Sequence, residues 1–319
     1  MKIYFIGIDR KYMPYKPVSS GIRRCGTDRR GTRKAELAVG RTRQTPIDIY
    51  ETDDDMEYTF ECRGFDPRRT LFCGQAFRWR EADGVYCGIS GGRYAELFDN
   101  GDGTFTLRNI EKEDIPYWRS YFDLDTDYDE LVKQFSSDSH MRVACSENPG
   151  IRVLIQEPFE TLISFIISQN NNIKRITGII DRLCEQFGEK TDNGYIFPTE
   201  KRLYGITAED LAPLRAGFRA KYIADAMEKL ESREVDLDSL YEKDTVTARE
   251  ELKKIKGVGD KVADCVLLFA YHKTDAFPRD VWIKRVEQKL YPDGLPECIK
   301  GNEGIAQQFL FDYARTHNI

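Results

Sequence analysis

The sequence predicts an α+β chain, an antiparallel sheet followed by a helical core, and three observations support that class. From Met56 to about Arg108, short β-prone runs alternate with glycine-containing turns. After Tyr117, apolar residues recur at helical spacing to the C-terminus. Residues 1–55 show neither pattern; they are rich in arginine, threonine and glycine and close on Asp53-Asp54-Asp55. The expected organisation is therefore 1–55 disordered or a non-native extension, 56–130 a sheet domain and 131–319 a helical domain.

The strands are expected at Tyr58-Thr59-Phe60, Phe77-Arg78-Trp79, Val85-Tyr86-Cys87, Arg93–Leu97 and Thr104–Leu107, with Asn100-Gly101-Asp102-Gly103 as a turn. Among the helices, Phe159, Leu162, Ile163, Ile166 and Ile167 mark one that runs into Ser168-Gln169-Asn170-Asn171-Asn172. Three asparagines are poor helix residues with abundant hydrogen-bonding groups, so the helix should end there. Val262, Cys265, Val266 and Phe269 mark a buried helix beginning near Asp260. Val281, Trp282, Ile283 and Val286 mark another, opened by Pro278-Arg279-Asp280, with Asp280 as its N-cap.

Composition narrows the class. With 40% hydrophobic residues and no apolar run of membrane-spanning length, the chain reads as a soluble cytoplasmic protein, and it is expected to act as a monomer. Its net charge of −6 is unevenly spread. Acidic residues gather in 111–130, whereas Lys253, Lys254, Lys256, Lys273, Lys284 and Arg285 flank the two helix starts, a face suited to phosphate. Eight cysteines without a CxxC pair, and three histidines, fit no zinc site and suggest reduced thiols.

Those helix starts carry the chemistry. Gly257 and Gly259 flank Val258 in a hairpin whose amides can crowd together and hold an anion. Taken alone, such a turn is equally a plain helix-turn-helix corner. Lys261 follows in the first turn of a helix, where the dipole's positive end makes a poor place for an ammonium and a good one for an amine nucleophile. Cys265 lies four residues on, along the same face. Asp280 can cap its helix and also steady a cationic, oxocarbenium-like sugar.

The run Gly257-Val258-Gly259-Asp260-Lys261-Val262-Ala263-Asp264-Cys265, followed by Pro278-Arg279-Asp280-Val281, resembles the helix-hairpin-helix, Gly/Pro-Asp superfamily of DNA glycosylases. Its 8-oxoguanine-excising members that carry the lysine, here of a prokaryotic branch, are the near match. The resemblance implies a TBP-like sheet domain before a helical core, Lys261 and Asp280 as catalytic residues, and duplex DNA containing oxidised guanine as partner. Cys73-Gly74-Gln75-Ala76-Phe77-Arg78-Trp79 resembles the family's base-sensing segment, with the Gly74 carbonyl accepting the N7 hydrogen of 8-oxoguanine. Asn170 and Arg175 match residues that read the cytosine left behind. Phe218 and Arg219 match the wedge segment, and Gln307 and Phe311 the contacts to the extruded base, which Cys265 would wall from the other side.

Trp282 stands where eukaryotic members have histidine near the phosphate, and with Phe218 in place of tyrosine it bears on stringency for the opposing base. The resemblance runs from about Met56 to the C-terminus. It implies no required cofactor and no iron–sulfur cluster, since only Cys298 follows Cys265; a structural cation could sit at the carbonyls of Ile255 to Val258. The alternatives are a lysine-dependent glycosylase for other oxidised bases and a non-catalytic hairpin DNA-binding protein.

Overall fold

In the computed structural model, residues 48–51 and 56–319 are described. The expectation of disorder for residues 1–47 and 52–55 lies outside the described residues. Residues 48–51 correct it in part: β1 (Asp48–Glu51) pairs antiparallel with β2 (Met56–Glu61), Asp48 opposite Thr59.

A six-stranded antiparallel sheet runs β1-β2-β6-β5-β4-β3. Its further strands are β3 (Trp79–Ala82), β4 (Val85–Ser90), β5 (Arg93–Asp99) and β6 (Thr104–Arg108). The β5–β6 turn is held by Asp99, which accepts from the Gly101 amide at 2.8 Å, and by Asp102, which accepts from Thr104 at 2.9 Å. Short aspartate side chains make such turns by mimicking the backbone. β3 begins at Trp79, two residues later than the sequence pattern suggests, because Phe77 turns into the helical core. Gly88 makes room for Trp79; a Cβ there would stand 2.4 Å from the indole.

Between β2 and β3 lies a helix absent from the sequence reading, α1 (Pro67–Phe72), with Pro67 in its first turn and Asp66 as N-cap. After β6 come α2 (Ile115–Tyr121), α3 (Tyr128–Phe135), α4 (Ser139–Glu147), α5 (Pro158–Ser168) and α6 (Ile173–Phe187). A two-stranded ribbon, β7 (Lys190–Thr191) with β8 (Gly194–Tyr195), leads to α7 (Glu200–Leu203). The remainder is α8 (Arg219–Glu231), α9 (Thr245–Leu252), α10 (Asp260–Tyr271), α11 (Val281–Leu290) and α12 (Glu303–His317).

Two hydrophobic cores result. The sheet packs Tyr58, Phe60, Phe65, Trp79 and Phe105 against Trp118, Tyr121 and Phe122 from α2 and the residue after it. The larger core is helical, with α10 buried along nearly its whole length against α5. The two exchange residues: Phe77 from the sheet segment enters the helical core, and Leu154 joins the sheet core. Gln75 fastens this exchange, its buried amide donating to the Thr70 and Arg152 carbonyls at 2.8 Å each and accepting from the Leu154 amide at 2.9 Å. A buried amide with every group paired specifies one arrangement.

Candidate active site and nucleic-acid interface

The hairpin between α9 and α10 is built around Gly257. Its φ is +83°, and a Cβ would meet the Tyr222 ring of α8 at 2.3 Å, so only glycine fits. Asp225 of α8 accepts from the Lys256 amide at 2.7 Å and ties the turn to the same helix. The amides of Gly257 and Gly259 donate no hydrogen bond among the described residues, and both glycines are exposed. Amides without a partner at the start of a helix are a place where an anion can be held.

Lys261 occupies the first turn of α10, half-buried, its Nζ 5.3 Å from the centroid of Phe165 in α5. Phe77 packs edge-on against that ring at 5.9 Å, so the Cys73–Trp79 segment is one aromatic away from the lysine. Cys265, a turn below, is 3% exposed. Burial pushes its thiol up to about 11, the Lys261 ammonium works against that rise, and the Asp264 and Asp280 carboxylates add to it. Lys261 and Asp280 thus act electrostatically on one buried sulfur with opposite sign.

Asp280 is the N-cap of α11, its Oδ1 accepting from the amides of Trp282 at 3.0 Å and Ile283 at 2.9 Å. Oδ2 makes no hydrogen bond among the described residues. Behind it, Gln307 of α12 donates from Nε2 to the Pro278 carbonyl at 3.2 Å. Phe311, one turn further, is half-buried with the Arg315 guanidinium 5.3 Å from its ring centroid.

Gly74 has φ +104°, with nothing within 4 Å of a Cβ. The carbonyls on either side are taken: Cys73's by Arg315 at 3.2 Å and Gln75's by Gln156 at 2.8 Å. Gly74's own carbonyl accepts nothing among the described residues, an acceptor left open between two anchored neighbours.

The residues expected at the interface converge from segments about fifty positions apart. Asn170 is exposed in the left-handed conformation, φ +46°. Asn171 donates to the Ile167 carbonyl at 3.0 Å, closing α5, while Asn172 caps α6 by accepting from the Arg175 amide at 3.0 Å. Arg175 is exposed, its Nη2 3.8 Å from where a Gly217 Cβ would stand. Phe218 is 49% exposed, its ring edge-on to Tyr222 at 5.6 Å.

Arg219 lies beneath the asparagine loop. It is 1% exposed, and its guanidinium donates to the carbonyls of Gln169 at 2.8 Å, Asn170 at 2.7 Å and Ala216 at 3.1 Å. Burial, and then the Arg175 cation, pull its pKa below the ordinary arginine value. It holds the asparagine loop from beneath.

A family model described as 8-oxoguanine DNA glycosylase, N-terminal domain, matches residues 57–162. A second, described as HhH-GPD superfamily base excision DNA repair protein, matches residues 163–294. The chain belongs to the 8-oxoguanine DNA glycosylase family. A probable N-glycosylase/DNA lyase of Methanothermobacter thermautotrophicus is 32% identical over 301 residues, covering 80% of this chain and 95% of that one. The N-glycosylase/DNA lyase of Saccharomyces cerevisiae is 38% identical over 191 residues, 54% of this chain, and the match spans 50% of the yeast protein. The Clostridium acetobutylicum 8-oxoguanine glycosylase/lyase, solved with double-stranded DNA carrying cytosine opposite 8-oxoG, superposes with a TM-score of 0.79 at 37% identity, covering 85% and 98% of the two chains.

Against that family background, three local features depart from the sequence reading. Trp282 is half-buried against the helical core with the Arg285 guanidinium 5.0 Å from its ring centroid, whereas Val281, not singled out, is 65% exposed beside Asp280. The basic face is partly self-neutralised: Lys253 pairs with Asp260 and Lys254 with Glu251, each at 2.8 Å, and Lys273 turns to the Lys243 carbonyl. Sequence reasoning also missed Cys73, Gln308 and Arg315, whose partners lie more than two hundred residues away along this 8-oxoguanine glycosylase chain.

Proposed function

We infer that the chain acts on duplex DNA as a bifunctional 8-oxoguanine glycosylase/lyase, and we propose Lys261 as its nucleophile with cytosine as the preferred opposing base. The carrying observation is the placement of Lys261 in the first turn of α10, over Phe165, and of Asp280 as the N-cap of α11 with its Oδ2 unbonded among the described residues. The extruded nucleotide enters between Cys265 and Phe311, with the Gly74 carbonyl accepting its N7 hydrogen. Guanine, whose N7 is itself an acceptor, would set two lone pairs face to face, a desolvated mismatch that disfavours it. Cys265 and Gln307 are each 3% exposed, so entry of the base displaces contacts, the Gln307–Pro278 bond first.

The neutral Lys261 amine then attacks C1′. The glycosidic bond breaks with its electron pair on the departing base, which takes up a proton, and Asp280 steadies the positive charge on the sugar. Loss of the amine proton and opening of the sugar leave a Schiff base, from which β-elimination expels the 3′ phosphate. Asn170, Arg175 and Phe218 fill and read the gap, and the hairpin amides hold a phosphate. Amine and carboxylate supply all the chemistry, so the reading needs no cofactor or iron–sulfur cluster. A cation at the hairpin carbonyls would act only structurally. Among the described residues no helix is long and apolar enough to cross a membrane.

Borohydride trapping on duplexes carrying one defined lesion tests this. The expected result is a covalent adduct with 8-oxoguanine opposite cytosine that Lys261→Gln does not form. An adduct that survives in that variant excludes Lys261 as the nucleophile. Trapping only on oxidised pyrimidines would reassign the substrate.

A further inference from the structure

A line of buried polar side chains joins the Gly74 loop to the Pro278–Asp280 loop. At one end, Gln307 donates to the Pro278 carbonyl at 3.2 Å. Its Oε1 accepts from Gln308 Nε2 at 2.5 Å. Gln308 Oε1 faces the Cys73 thiol at 3.7 Å, and Gln75 Nε2 lies 3.5 Å from the same sulfur. Gln75, Cys73, Gln308 and Gln307 are 2%, 7%, 5% and 3% exposed, so water does not substitute for any of these bonds.

The direction of the line is set by its end. A proline carbonyl can only accept, so Gln307 must present its NH2 group to Pro278 and its oxygen to Gln308. Gln308 must then present its own NH2 group to Gln307 and its oxygen to Cys73. The thiol is the one group there able to donate back, and it shares its proton between Gln308 and the Thr70 carbonyl at 3.4 Å. No amide in the line can flip without leaving two acceptors face to face.

We propose that Gln308 and Cys73 are positioning residues that lock the amide of Gln307 in one orientation for reading the extruded base, and that couple this orientation to the Gly74 loop. This rests on the proposed base pocket. With one amide hydrogen on Pro278 and one oxygen lone pair on Gln308, Gln307 keeps one donor and one acceptor for a ligand, in a fixed order. Neither residue touches the lysine or the sugar. The line therefore serves base recognition and leaves strand cleavage alone.

Two reactions of the same enzyme separate these roles. Excision of 8-oxoguanine opposite cytosine needs the base read; β-elimination at a preformed abasic site needs Lys261 but no base. Gln308→Met keeps the volume and removes the donor. It is expected to slow single-turnover excision about tenfold, the effect of one buried hydrogen bond, while abasic-site cleavage stays at the wild-type rate. Cys73→Ser, which retains a donor, is expected to excise at near the wild-type rate, and Cys73→Val to behave like Gln308→Met. Equal loss of both reactions in Gln308→Met and Cys73→Val overturns the proposal, as does unchanged excision in both. Failure of the wild-type enzyme to excise 8-oxoguanine at all would instead overturn the reading beneath it.

Discussion

The ring of Tyr222 lies flat against Gly257, leaving no space for a side chain in the hairpin that faces solvent on its other side. Gly259, two residues on, has φ −104° and open space about it. The two glycines should therefore respond differently to the same methyl group. Gly257→Ala combines a left-handed backbone with an overlap on Tyr222 and should destabilise by at least ~1–3 kcal/mol. Gly259→Ala should melt close to wild type yet bind duplex DNA more weakly, because its methyl would intrude on the phosphate site proposed at the hairpin. Thermal unfolding beside salt-dependent DNA binding checks both; equal melting of the two variants would contradict the packing argument.

Arg219 gives the second prediction. Its guanidinium closes carbonyls at 169, 170 and 216 in one fork, a geometry an ammonium cannot reproduce. Arg219→Lys should lose on the order of 1–3 kcal/mol of stability through the unsatisfied carbonyls. Because the Asn170 loop loses its support, the preference for cytosine over adenine opposite the lesion should narrow as well. A variant with reduced melting temperature and unaltered opposing-base preference would show that the loop keeps its shape without this clamp.

Elements set by local pattern are legible in the sequence. The periodic runs became α5, α10 and α11, and Asp280 became the N-cap its Pro278-led helix start implied. Elements set by partners far along the chain are not. Arg219 looks like a surface cation until Gln169, fifty residues away, is placed over it. Gln308 carries no motif, and its meaning comes from Cys73 across 235 positions. The helix at Pro67–Phe72 was hidden because it is one and a half turns long amid strands, too short for a period to show. Strand β1 has its reason in pairing with β2, which local composition does not reveal.

Asp264, buried on α10 beside Cys265, is paired with Arg249 of α9 at 2.6 Å. Burial raises its carboxyl above the usual range, and Arg249 opposes that rise. Arg249→Ala removes the opposing cation, so the folded-state pKa climbs further. A carboxyl whose folded pKa exceeds its unfolded value costs stability as pH rises through that interval, since the unfolded chain ionises first. The variant should therefore be weaker than wild type by on the order of 3 kcal/mol at neutral pH. The gap should narrow as pH falls toward the ordinary aspartate value, where Asp264 is protonated in both states. Denaturant unfolding of both proteins across pH 4 to 8 measures it, and a gap constant with pH would assign the loss to packing of the arginine stem.

The two tasks of Asp280 can be separated because they use different properties of one carboxylate. Capping uses Oδ1 as an acceptor for two amides, which an asparagine amide oxygen supplies equally well. Steadying a cationic sugar uses the negative charge, which asparagine lacks. Asp280→Asn should thus keep the unfolding free energy within about a few tenths of a kcal/mol of wild type, while excision falls by roughly 10²–10³-fold. Asp280→Ala should lose both, with a further stability cost of about 1 kcal/mol from the empty cap. If Asp280→Asn excised 8-oxoguanine at the wild-type rate, the charge would have no part in the reaction. The carboxylate would then be a helix cap that happens to border the site.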